Sequence, residues 1–487
     1  MEHDSTYAKP FMTVREQVEL LASRGMDIGD HATAEALLRR IGYYRLSGYW
    51  YPYRERSTNA NGNPIVTSAI RVGTTLRDVC SIYDFDRALR ALMLEAIETT
   101  EVAIRFEVGH TLGRRSPFAH RDPNHLDPIF TSTATDQQDL PNEPSDIEAS
   151  RHDAWLERFD EQETRFQEQF AVHFRNKYGP HLPVWVATEV MTFGTLAQLY
   201  AGALQNDRKR TAASLDLLTK SGEGDAVLLS SWLNHIRYIR NLCAHHSRLW
   251  NRNFDISLGA APQIHELAHL TVKSNRRLYG TICVLTFLLA RIDPGTDWRD
   301  RVRDLIETQA TQVSFDLEAL GFPDGWQDAA LWSNGYRRDP FVARCVAVLA
   351  DLETESGAVT RERLHSRDHP KDRRSWLNYL RQRHALAYVT LGTTNYFPAF
   401  QINPDSGDID PVVGDINADL YETLLSVGRT DDRARLETVE WWTTSHPPLS
   451  GRTPLELLKT GELTVDRARP AYPVSDRPRE PQSESEF

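Results

Sequence analysis

Four side chains suited to acid–base and phosphate chemistry, Arg240, Asn241, His245 and His246, fall within the seven residues "RNLCAHH". The chemistry they suit is RNA cleavage. RNA carries its own nucleophile, the 2′-hydroxyl beside each phosphodiester. Cutting requires a group to accept that proton, a group to protonate the leaving 5′-oxygen, and positive charge for the pentacoordinate phosphorane. Histidine titrates near neutrality and serves in either proton role. Arginine stays charged, and its planar fork matches phosphate oxygens. Asparagine orients the imidazole or holds the phosphate. The scheme needs no metal and no cofactor.

Asn241 and His245 are four apart and share a helix face. Arg240 and His245 are offset by about 140° on an ideal helix. They can act together only through the reach of the arginine, near a frayed helix end, or across a dimer. His246 and Arg248 follow on the same segment and have two readings: contacts to RNA phosphates, or cations favoured at a helix C-terminus by its dipole.

Other clusters also carry two readings. "YYRLSGYWYPYR" places Tyr43, Tyr44, Tyr49, Trp50 and Tyr51 beside Arg45 and Arg54. Bases stack on aromatics and arginines hold phosphates, so Tyr43, Tyr44 and Arg45 are candidate RNA contacts; core packing with satisfied tyrosine hydroxyls is the plainer account. In "YDFDRALR", Asp84 and Asp86 would need further converging ligands to hold a metal, and helix ion pairs such as Asp86–Arg90 explain them more simply. Glu101 and Arg105 make a similar pair. Cys243, His245 and His246 cannot all point inward from one turn, and no second Cys/His pair has finger spacing, so zinc is not expected.

The elements that must position the motif read as helices. "TVREQVELLASRG" opens on a threonine N-cap with an acidic first turn. "ATAEALLRRIGYYRLSGYWYPYRER" reads as one helix running into an aromatic, basic turn. "TTLRDVCSIYDFDRALRALMLEAIETTEVAIRFEVGHTLG" is a long amphipathic pattern with no proline or glycine before Gly109. Residues 119–150 are rich in Pro, Asp, Ser and Thr and read as a flexible insertion. Helical patterns resume through "SSWLNHIRYIRNLCAHHSRLWN" and "LTVKSNRRLYGTICVLTFLLARI". No alternating strand is evident before about residue 320, so residues 1–325 are expected to form an all-α domain. Residues 326–340 read as a linker. The texture then changes: "HALAYVTLGTTNYFPAFQINPDSGDIDP" carries a hairpin signal. Residues 341–470 are expected to form a smaller α+β domain, and residues 471–487 a disordered tail. The expected class is mainly α, a helical bundle followed by α+β.

Taken in order, "YYRLSGYWYPY", "IYDFDRALR", "LPVWVATEVMTFGTL" and "LNHIRYIRNLCAHHSRLWNR" resemble the Abi family of bacterial phage-abortive-infection proteins, of AbiD and AbiF types, over roughly residues 8 to 320. That family is similar to the HEPN superfamily. The resemblance implies a HEPN-like helical bundle and a metal-independent endoribonuclease with an Arg-x4–6-His motif, here Arg240 and His245 with Asn241. It also implies a homodimer, because such sites are usually composite and this chain has one clear copy. The alternative is a non-catalytic RNA-binding or scaffold protein that grips a regulatory RNA with the same face.

The C-terminal stretch "VEWWTTSHPPLSGRTPLELLKTGEL" resembles the toxin-docking domain of Xre/ParS-type (MbcA-like) antitoxins through Pro448, Leu449, Gly451, Thr453 and Pro454. This implies a toxin–antitoxin arrangement in which the regulator is built into the chain or supplied separately. Before it, "TRERLHSRDHPKDRRSWLNYLRQRHALAYVT" reads as a helix-turn-helix-like element with a hairpin. Its Arg373, Arg374, Arg381 and Arg383 are either nucleic-acid contacts or a solvated helix face.

Composition sets the outer limits. A chain of 487 residues suggests roughly three domains, or two with one large. Its formal net charge of −12 argues against a general nucleic-acid coat, though not against a local basic cleft. The absence of a signal-like start, of a long apolar run and of paired cysteines points to the cytoplasm, with no membrane partner.

Overall fold

A computed structural model describes residues 10–58, 63–133, 149–312, 316–333, 336, 339–364, 373–391 and 394–473. Helices α1 (Val14–Ser23), α2 (His31–Ile41) and α3 (Tyr43–Trp50) precede a hairpin of β1 (Arg54–Thr58) and β2 (Pro64–Ile70). The long α4 (Leu76–Gly113) follows, then α5 (Pro128–Thr131), α6 (Arg151–Arg165), α7 (Gln169–Tyr178), α8 (Val184–Val190), α9 (Phe193–Gly202) and α10 (Gln205–Ser214). The motif lies on α11 (Ala226–Ala244), which is followed by α12 (Leu278–Ile292) and α13 (Trp298–Gln312). Next come α14 (Pro340–Asp351), β3 (Thr354–Ser356), α15 (Gly357–Arg363), α16 (Arg373–Gln382), β4 (Val389–Leu391) and β5 (Thr394–Pro398). The last helices are α17 (Pro411–Ser426), α18 (Asp431–Thr443), α19 (Pro454–Lys459) and α20 (Val465–Ala468). The chain is mainly α, with small sheets in its C-terminal part.

Packing divides the described residues into two compact units. One draws on Met1–Phe106, Met191–Ala197 and Ser230–Tyr336, the other on Glu107–Val190, Gln198–Leu229 and Arg337–Phe487. One break, between Tyr336 and Arg337, falls inside the stretch expected as a linker, but the first expected domain is not a single unit. Residues 107–133, 149–190 and 198–229 pack with the C-terminal residues instead.

In the first unit, α1 begins at a capping box in which Thr13 and Glu16 satisfy each other's backbone N–H. Gly42, at φ +92°, ends α2 and starts α3, so the single helix expected there is two. The helix α12 is apolar all round and buried from Leu278 to Ala290, which makes it the centre of this unit. α4 lays Ile82, Phe85, Leu89, Met93 and Ile97 into the core. Between α3 and α4 the strands β1 and β2 pair antiparallel, with Arg56 opposite Val66. Both strands are largely exposed, so no apolar alternation marked them. Within the stretch expected as a linker, Trp326, Leu331 and Trp332 are buried, and Trp326 meets Trp332 edge-on at 4.6 Å.

Fully buried His235 on α11 donates from Nδ1 to the Ile256 carbonyl at 2.7 Å and accepts from the Thr281 hydroxyl at 2.8 Å. Burial lowers its pKa to about 4. The folded state therefore holds the neutral ring, and its contribution is fully present above the unfolded value near 6.5 and is lost as pH falls toward 4. Wild type should lose roughly 3 kcal/mol through this group between pH 7 and pH 4. A His235→Gln chain should show a correspondingly shallower acid dependence in urea midpoints; equal slopes would refute the assignment.

In the second unit, residues 119–133, the front of the expected insertion, bury Ala119, His120, Leu126 and Phe130; residues 134–148 lie outside the described residues. The α14 C-terminus is capped by arginines: Arg114 and Arg210 donate to the Ala350 carbonyl, and Arg210 also to Leu352 at 3.1 Å. β3, β5 and β4 form an antiparallel sheet in that order, with Glu355 opposite Phe397 and Thr390 opposite Asn395. A buried polar relay ties the sheet region to the last helices. Gln401 bonds the Ala387 backbone in both directions and accepts from Asn417 at 2.9 Å, and Asn417 accepts from Trp442 Nε1 at 2.8 Å.

The residues that carried the antitoxin resemblance have local structural work here. Leu449 is buried, Ser450 and Gly451 turn the chain at φ +59° and +74°, and Thr453 caps α19 with Pro454 at its first position. The tail expected over residues 471–487 begins packed instead: Ala471 accepts from Trp441 Nε1 at 3.2 Å and Tyr472 meets Trp441 edge-on, while residues 474–487 lie outside the described residues.

Candidate functional site

The motif lies where α11 stops. The His246 N–H donates to the Cys243 carbonyl at 3.0 Å and the Ser247 N–H to Leu242 at 2.8 Å, the crossed pair of a Schellman ending. His246 takes the left-handed position, φ +56°, where glycine is usual. Arg240 and Asn241 are thus in the last helical turns, and His245 is the first residue past them. The His245 N–H still donates to the Asn241 carbonyl at 3.0 Å, so His245 keeps to the helical path and its offset from Arg240 persists within one chain.

Arg240, His245 and His246 are exposed, and Asn241 is half-buried. Among the described residues, no hydrogen bond or ion pair engages the Arg240 guanidinium or the His245 ring. A cation and an imidazole, free at one helix end, are available to a phosphate.

The turn that follows is fastened at several points. Arg45 on α3 donates to the His246 carbonyl at 2.7 Å, and Arg90 on α4 donates to Ser247 at 3.4 Å. Arg248 donates to the Gly48 carbonyl. Asp86 is fully buried and accepts from the Trp250 N–H at 2.8 Å, the Leu249 N–H at 3.2 Å and the Tyr49 hydroxyl at 2.7 Å, and it pairs with Arg90. Burial pushes the Asp86 carboxyl up, and Arg90 with these donors offsets part of that. The result is a buried carboxylate that collects the chain immediately downstream of the motif.

His246 holds its conformation at a cost. An L-residue in the left-handed region is strained by about 1–2 kcal/mol relative to glycine, so His246→Gly should raise the urea midpoint of the protein. A lowered midpoint would show that the His246 side chain contributes more than its backbone strain costs.

The other candidates divide. Tyr44 is 77% exposed, whereas Tyr49 and Trp50 are buried. Tyr43 is half-buried, packs edge-on against Trp50 and accepts from Arg24 at 2.8 Å. Arg45 and Arg248 are engaged with backbone carbonyls in the way just described. Burial pushes the Cys243 thiol up to about 12, which opposes the thiolate that a metal would need. Asp84 pairs with Arg40 at 3.2 Å and Arg87 at 3.7 Å, the structural reading. In the second unit Asp160, Glu163 and His181 bring ligand-type atoms within 4.8 Å of one another. Arg121 bonds both carboxylates and supplies the positive charge internally.

Sequence reasoning recognised the Asp86–Arg90 pair but missed what it anchors. A signal was present: Asp86 and Arg90 interrupt the apolar stripe of Ile82, Leu89, Met93 and Ile97, so both had to be buried and partnered.

The chain is mainly helical and, among the described residues, presents Arg240 and His245 without an ion pair at a clamped helix end. A family model described as Abi-like protein matches residues 36–251, which include Tyr43, Asp86, Arg90, Arg240 and His245. The match supports an Abi-family protein over that part of the chain, a shorter span than the resemblance read from the sequence. No curated protein and no solved structure matches the chain. No helix among the described residues is long and apolar enough to cross a membrane.

Proposed function

We propose that this protein is a metal-independent endoribonuclease of HEPN type, acting in phage defence by abortive infection or within a toxin–antitoxin system. The Abi-like match supports the defence role. The observation that carries the chemistry is the exposed Arg240 and His245 at the α11 terminus, whose side chains have no partner among the described residues. In the reaction, the 2′-hydroxyl attacks its neighbouring phosphorus while His245 takes the proton. Arg240 stabilises the phosphorane, and Asn241 orients the imidazole. The P–O5′ bond breaks, and the leaving oxygen takes a proton from His245 of the partner subunit. A homodimer would supply both imidazoles to one cleft, consistent with a single motif per chain.

The test is end-group analysis of RNA incubated with the purified protein in excess chelator. Products should carry a 2′,3′-cyclic phosphate and a 5′-hydroxyl, and the protein should run as a dimer on sizing. RNA bound but never cut, equally by wild type and by Arg240→Ala and His245→Ala, would instead favour a scaffold that holds a regulatory RNA.

The proposal extends to regulation by the C-terminal residues. Tyr396 donates to the Gly222 carbonyl at 2.7 Å and Thr394 donates to Ser221, on the turn just before α11. Loosening that hold with Thr394→Ala and Tyr396→Phe should raise toxicity in cells. Unchanged toxicity from a folded variant would count against built-in restraint.

A further inference from the structure

The order of elements from 340 to 398 is informative: helix α14, strand β3, helices α15 and α16, then the hairpin β4–β5, with β3 paired to β5 and β5 to β4. This is the winged helix-turn-helix arrangement, in which the third helix lies outward and the hairpin forms the wing. The core agrees with that topology. Leu364, Leu377, Leu380, Leu386, Tyr388 and Phe397 bury one face of α16 against the sheet.

The opposite face of α16 is the unusual one. Residues 373–383, "RRSWLNYLRQR", hold four arginines and no acidic residue, in a chain whose formal net charge is −12. Arg374, Ser375, Asn378, Tyr379, Gln382 and Arg383 are exposed. Arg374, Asn378 and Gln382, at four-residue spacing, line up along the helix. Their side chains match the edges that the major groove displays: arginine to guanine, asparagine or glutamine to adenine. Among the described residues Arg374 has no ion-pair partner. Arg381 behaves differently, since it stacks 4.7 Å over the buried Tyr388 ring and belongs to the core edge. The wing is also occupied, by the Thr394 and Tyr396 bonds to residues 221 and 222.

We propose that α16 is the recognition helix of a duplex-DNA site, entering the major groove with Arg374, Asn378 and Gln382 toward base edges and Arg383 toward phosphate. This site is separate from the Arg240–His245 motif and does not depend on its being catalytic. Contact is made through the helix, with the wing held to its own chain.

The test uses the full chain and a fluorescein-labelled DNA duplex of roughly 25 base pairs and mixed sequence, with single-stranded RNA of the same length as comparison. Anisotropy is read at low and at physiological salt. Wild type should bind the duplex more tightly than the RNA, and binding should weaken steeply with salt. Arg374→Glu should lower duplex affinity about tenfold or more, while Arg433→Glu, the same charge change at an exposed position on α18, leaves it unchanged. If Arg374→Glu shifts the melting curve, Arg374→Gln and Asn378→Ala provide the same comparison without reversing charge. Arg240→Ala and His245→Ala should bind duplex as wild type does, which separates this site from the proposed nuclease. Equal weakening by Arg433→Glu, preference for RNA, or no duplex binding at low salt would overturn the assignment.

Discussion

His245→Ala and Arg240→Ala should each reduce RNA cleavage by about two to four orders of magnitude, with folding unchanged. A positioned general acid or base is worth about 10²–10⁴ in rate, and removing a preorganised donor to a developing oxyanion costs about 10²–10³. Neither side chain packs against the core or bonds a neighbour among the described residues, so truncating it removes chemistry and leaves the helix end intact. Arg240→Lys should recover little, because lysine keeps the charge but loses the planar fork. The double variant should be scarcely worse than His245→Ala alone, since groups acting in one step are not additive. A composite site makes a sharper demand. Adding excess His245→Ala chains to wild type should depress cleavage below what dilution alone gives, because a mixed dimer supplies only one of the two imidazoles the shared cleft requires. Single-turnover cleavage of labelled RNA measures all of these, and wild-type rates from either single variant would refute the assigned roles.

Asp86→Ala has the largest expected effect on stability, about 3–5 kcal/mol, the cost of leaving a buried partner charge unpaired. Arg90 would lose its carboxylate while only 5% exposed, and the Leu249 and Trp250 N–H groups and the Tyr49 hydroxyl would lose their acceptor. The unit carrying Asp86 should unfold at lower urea. The turn from His246 to Trp250 should also exchange its amides faster than in wild type while α11 keeps its protection, and this local readout distinguishes lost anchoring from general damage. Asp86→Leu with Arg90→Met should be less harmful than Asp86→Ala, because the uncompensated charge is removed along with the pair. If Asp86→Ala melts like wild type, the carboxylate is not the anchor it is taken to be here. If the double variant is the worse of the two, the ion pair itself contributes more than the carboxylate's backbone bonds.

The proposed nuclease motif was readable because its information is local. Arg240, Asn241 and His245 lie within six positions, and the chemistry of their side chains limits what they can do together. Helix starts were readable for the same reason: Thr13 with Glu16 and Thr453 with Glu456 form capping boxes within one turn. The exposed hairpin β1–β2 was not, since its strands bury little and carry no alternating pattern. Nor was the place of residues 119–133 in the second unit, where histidines and aromatics pack within a composition typical of loops.

From sequence alone came the helical class, the motif and its chemical logic, because periodicity, caps and residue type act over a few positions. Tertiary structure decided that His245 sits beyond the helix while Asp86, 163 positions upstream, receives the Leu249 N–H. It also decided that residues 107–133 and 149–190 pack with the C-terminal part of the chain. Those outcomes depend on buried polar groups finding partners far along the chain. Local pattern shows that such a partner must exist, and only the packed fold selects which one it is.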